Sequence, residues 1–81
     1  MLTIATKTKL TPNEVIAKAI DFFGPNGYKL KLVEQSADGA AFEGGGGGVG
    51  LTVTSQDNRT SVELISREWD YQTKEFIGKI G

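Results

Sequence analysis

Five consecutive glycines, Gly44 to Gly48, stand near the middle of an 81-residue chain, and a sixth follows at Gly50. Each glycine in regular structure costs roughly 0.5–1 kcal/mol relative to alanine. The tract therefore needs compensating contacts, or a backbone conformation that only glycine adopts easily. Dividing the chain there would leave two pieces of about 40 residues, each too small for a core of its own. The tract belongs inside one α+β domain spanning residues 1–81 and is not a linker.

Gly45-x-Gly47-x-x-Gly50 matches the dinucleotide fingerprint in letters, and Gly45 to Thr52 approximates a phosphate-binding loop. Both motifs act by opening a helix whose N-terminus meets phosphate. Here LTVTS follows, an alternating strand pattern, and Leu51 stands where the second motif needs lysine. The reading is structural, in one of two forms. The glycines make the turn between two strands, or some lie within strands where an aromatic ring packs on bare backbone. Phe22, Trp69 and Phe76 are the rings that could do so.

The other segments arrange themselves around the tract. Leu2 to Lys9 alternates and is rich in threonine, which predicts a strand. In LTPNEVIAKAIDFFGPNG, Thr11 reads as an N-cap, Pro12 as the first helical residue and Glu14 as the partner in a capping box. Leu10 and Val15 are placed to staple the entry. Val15, Ile16, Ala19, Ile20 and Phe23 form one apolar stripe. Gly24 is expected as a left-handed stop, with Pro25 preventing continuation and Asn26-Gly27 turning the chain. YKLKLVEQ predicts a second strand, with Tyr28, Leu30 and Leu32 on one face and Lys29, Lys31 and Val33 on the other. Ser36 to Gly39 is a hairpin whose Asp38-Gly39 pair suits a primed turn. AAFE, VGLTVTS and TSVELISR complete the meander, with Gln56 to Arg59 as a polar turn and Val62 and Leu64 facing inward. The period then changes. Trp69, Thr73, Phe76, Ile77 and Ile80 share one helical face, with Asp70 as N-cap and Lys74 and Lys79 toward the C-terminal end.

This order, β-α-β-β-β-β-α, predicts an α+β fold: a five-stranded antiparallel sheet of order 1-5-4-3-2 with both helices on one face. Strands one and two are then the edges. They carry Lys7, Lys9, Lys29 and Lys31, which discourage edge-to-edge aggregation.

Composition narrows the chemistry. There is no cysteine and no histidine, which removes disulfides, thiolate chemistry and the commonest general base and metal ligand. No cofactor or metal site is expected, and the chain reads as non-enzymatic. Nine basic and ten acidic residues are interspersed along the chain, so no basic stripe for nucleic acid is visible. No apolar run is long enough to span a membrane. MLTIATKTK lacks the order of a signal peptide, and a cytoplasmic protein is the expectation.

The element order resembles the TATA-binding-protein-like fold, and it is similar to a reduced version of the helix-grip lipid-binding and cyclase families. FEGGGGGVGLTVT followed by SVELISREWDY also has the look of a small uncharacterised bacterial family. The helix-grip resemblance implies an apolar ligand held between the C-terminal helix and the sheet, with Trp69, Tyr71, Phe76 and Ile80 as candidate contacts. The TATA-binding resemblance implies a nucleic-acid face, which the charge pattern does not support. A second candidate is the sheet face turned away from the helices. There Val33 and Ile65, with Arg67 beside them, would serve a homodimer or another protein partner. Glu43, Glu63 and Arg67 share that face and read as solvated ion-pairing residues, not as an acid-base site.

Overall fold

A computed structural model describes residues 2–24 and 27–80. The chain runs β1 (Leu2–Thr8), α1 (Pro12–Phe23), β2 (Lys31–Ser36), β3 (Gly39–Gly44), β4 (Gly47–Gln56), β5 (Arg59–Arg67) and α2 (Asp70–Ile80). All pairings are antiparallel and the sheet order is β1-β5-β4-β3-β2, as the sequence predicts.

The helices cover one face. Alternation on β4 turns Val49, Leu51 and Val53 toward them, and on β5 it turns Val62 and Leu64 the same way. α1 answers with Val15, Ile16, Ala19 and Phe23, and α2 with Phe76 and Ile80, all buried. Phe23 lies at the centre, its ring centroid 5.6 Å from Phe42 and 5.5 Å from Phe76. Fully burying one such ring contributes about 1.5–3 kcal/mol. The capping box on α1 is complete: Thr11 Oγ1 accepts from the Glu14 N–H at 3.2 Å, and Glu14 Oε1 accepts from the Thr11 N–H at 3.0 Å.

Several local expectations are revised. Gly24 is extended, with φ −79 and ψ −158, and is not left-handed. Its N–H reaches the Ile20 carbonyl at 2.8 Å. A Cβ there would stand 2.3 Å from that same oxygen, so contact and not torsion demands glycine. Pro25 and Asn26 lie outside the described residues. β2 starts at Lys31, three residues later than the alternation suggests, because Lys29 has φ +64 and breaks the strand. Leu30 is buried and Tyr28 is not. The β2–β3 hairpin turns on Ala37-Asp38, with Ser36 opposite Gly39, and the primed turn expected at Asp38-Gly39 is absent. Two successive positive φ values occur instead at Asp57-Asn58, +43 and +68, between Gln56 and Arg59. α2 begins at Asp70, and the Thr73 N–H donates to the Trp69 carbonyl at 2.9 Å, so Trp69 holds the cap position expected of Asp70.

The glycine tract combines both of its readings. Gly44 and Gly47 are paired, and Gly45-Gly46 form a two-residue turn with φ +58 and +83, the signature of a type I′ hairpin. The indole of Trp69 lies against Gly45, where a Cβ would come within 2.9 Å of Cζ2. Trp69 Nε1 donates to the Gly44 carbonyl at 2.9 Å. The ring that lies on bare backbone is therefore Trp69.

Candidate functional site

The sheet face away from the helices is shaped by what β4 lacks. Its outward positions are Gly48, Gly50, Thr52 and Thr54, so the central strand is bare at one end. Pairing aligns Glu34, Ala41, Gly50, Ile65 and Thr3 in one row across the sheet, and Lys31, Glu43, Gly48 and Arg67 in the next. The result is a trough floored by Ala41, Gly48 and Gly50. Its first section encloses about 320 Å³ between Val33 and Glu43 on one side and Ile65 and Arg67 on the other. A second section of about 310 Å³ shares Ala41, Gly50 and Ile65 and runs on toward Glu34 and Asp38.

The three interface candidates from the sequence, Val33, Ile65 and Arg67, thus line one depression. Val33 arrives there through a β-bulge. The register shifts between Leu32 and Glu34, leaving Val33 without a partner on β3 and 45% exposed. Ile65 is 44% exposed. A bulge re-aims a side chain in this way, and nothing in the KLVEQS alternation announces it.

The floor glycines differ in why they are glycines. A Cβ on Gly48 would lie 2.6 Å from the Phe42 carbonyl oxygen, so the fold itself excludes a side chain. Gly50 has room: the nearest atom to a Cβ would be the Ile65 carbonyl oxygen at 4.0 Å. Its φ is not positive either. Within the monomer, neither torsion nor contact accounts for glycine at this mid-strand position. A mid-strand glycine with open space above it permits close approach from outside.

The four ligand-binding candidates are distributed differently. Phe76 and Ile80 are buried in the core and Thr73 is buried beside them under α2. Trp69 covers the glycine turn. Tyr71 is 73% exposed. Phe76 and Ile80 together line a recess of about 170 Å³ with Lys18, Asp21, Phe22 and Lys79, all of them residues of the two helices. Near Trp69, Tyr28 donates from its hydroxyl to Glu75 Oε1 at 2.8 Å. Accepting that bond, the carboxylate holds the phenol above its ordinary pKa, with desolvation and the charge of Glu75 adding to the effect.

Among the described residues there is no group of three acidic, histidine or cysteine side chains able to hold a metal ion. No helix among them is long and apolar enough to cross a membrane. Compared with known proteins, the chain matches no family model and no curated sequence.

Proposed function

We propose that the chain is a non-enzymatic interaction module that forms a homodimer through the outer face of its sheet. The observation that carries this reading is Gly50, a mid-strand glycine with free space above it, set beside the protruding, 44% exposed Ile65. Hole and knob are cross-strand neighbours, so the surface can complement itself.

The arrangement is a twofold axis along the strands, between β4 and β5. It seats Ile65 of each copy over Gly50 of the other, at the roughly 10 Å spacing of packed sheets. Arg67 then lies over Gly48 of the second copy, one strand from its Glu43. Arginine and glutamate on one patch are a self-complementary pair under such an operator. Size is adequate. Five strands about 4.8 Å apart, and strands of six to ten residues, give a face of roughly 20 by 30 Å. That is roughly 600 Å² in plan, below the ~800 Å² per partner of a standard interface but above the roughly 500 Å² per partner that a specific interface should clear, out of 4926 Å² of accessible surface.

The test is mass in solution over a wide concentration range. The wild type is expected to move from monomer to dimer, and Ile65→Lys to stay monomeric with an unchanged fold. A wild type that stays monomeric at millimolar concentration would remove the homodimer.

A further inference from the structure

Folding gathers cations that the sequence scatters. Lys7 at the end of β1, Lys9 just beyond it, Lys18 on α1, Arg59 at the start of β5 and Lys79 near the end of α2 all line one cleft of about 520 Å³. No acidic residue among the described residues lines it. These are five of the nine cationic side chains, leaving four cations against ten acids for the rest of the molecule. The absence of a basic stripe in the linear sequence is therefore no guide to this surface.

The floor of the cleft is tied down. Thr8 and Thr60 are buried polar residues in a predominantly apolar interior. Thr8 Oγ1 donates to the Ile80 carbonyl and accepts from the Leu10 N–H. Thr60 Oγ1 donates to the Leu10 carbonyl at 2.6 Å. Two hydroxyls thus fasten the end of β1, the entry to α1, the start of β5 and the last turn of α2 to one another. The elements that bear the cations are thereby held in fixed relation, while the cationic side chains themselves are exposed.

We infer that this cleft binds a multivalent oligophosphate group. Like charges held together repel, and a polyvalent anion relieves that repulsion most. Four of the five cations are lysines, compact charges with three rotatable donors each. As point charges they can each meet a different phosphate oxygen without the fixed bidentate geometry of an arginine fork. The volume also exceeds what a single phosphate needs.

The experiment is an NMR titration of the ¹⁵N-labelled protein at low ionic strength with inorganic tripolyphosphate, orthophosphate and adenosine triphosphate. Saturable shifts are expected at the amides of Lys9, Leu10, Arg59, Thr60 and Ile80. Tripolyphosphate should bind roughly tenfold more tightly than orthophosphate, and added salt should weaken it through screening. The exposed double substitution Lys9→Glu with Lys18→Glu should lower the affinity at least about tenfold while the spectrum stays folded. Equal binding of tripolyphosphate and adenosine triphosphate would assign the phosphate chain alone. Tighter nucleotide binding would assign a nucleoside polyphosphate. Linear, unsaturable shifts would overturn the inference, as would shifts away from the cleft or wild-type affinity in the double variant. So would stronger binding of a single-stranded oligonucleotide at equal phosphate concentration, which would mark a nucleic-acid surface instead.

Discussion

At Gly45 two demands coincide: φ is +58, and the Trp69 indole occupies the space a Cβ would take. Gly45→Ala should lower stability by about 2–3 kcal/mol, from left-handed strain and the displaced ring together. Gly46, with nothing within 4 Å, should accept asparagine within about 0.5 kcal/mol, since asparagine tolerates the left-handed region. Urea unfolding of the two variants checks the contrast. Thr73 makes a different case. Its hydroxyl is buried without a hydrogen-bond partner, as is that of Ser66. Thr73→Val should therefore raise stability by about 1 kcal/mol by removing an unpaired polar group. Gly50→Ala should stabilise the monomer by about 0.5–1 kcal/mol, measured in an Ile65→Lys background, and should weaken the wild-type dimer. Under the proposed homodimer both signs follow, from space that is empty in one copy and filled by a second.

Among the elements, α1 has the most explicit ends. Thr11→Ala should cost about 1 kcal/mol through loss of the cap. Glu14 in the same box has its pKa held below the ordinary carboxylate value of 4.5, first by its hydrogen bond with the Thr11 backbone and then by that with the side chain. A lowered folded-state pKa means the unfolded chain binds more protons, so this stabilisation is present above about pH 4.5 and fades as pH falls below it. Glu14→Gln should flatten that part of the acid-stability profile, as read by thermal unfolding between neutral pH and pH 3. The capping box, the strand alternation and the strand order were all legible in the sequence, because each is a local pattern or a consequence of hairpin linkage. The irregularities were not. Lys29 takes a positive φ and Val33 bulges, although neither residue type asks for it; tertiary packing of Leu30 and Leu32 overrides the local preference. Asp57-Asn58 could have been read as the primed turn, since both residues tolerate the left-handed region. The outward placement of Ile65 and Arg67 was legible from strand parity alone, and parity also put Val33 on that face without revealing the bulge that holds it there. The cation cleft was not, because its members lie far apart in sequence and meet only after α1 and α2 dock.

For the whole molecule, 37 by 20 by 17 Å, one sheet face is closed by helices and the other presents a glycine-floored trough beside an isoleucine knob. Charge offers an independent check on the pairing. Glu43→Arg and Arg67→Glu should each weaken self-association, and mixing the two variants should recover it, because each then supplies the charge that the other lacks. The most direct measurement is sedimentation equilibrium of the wild type and Ile65→Lys, side by side, from micromolar to millimolar concentration. The outer-face account predicts a reversible monomer–dimer equilibrium for the wild type and a monomer throughout for the variant. A variant that dimerises as the wild type does, or a wild type that never does, would contradict it.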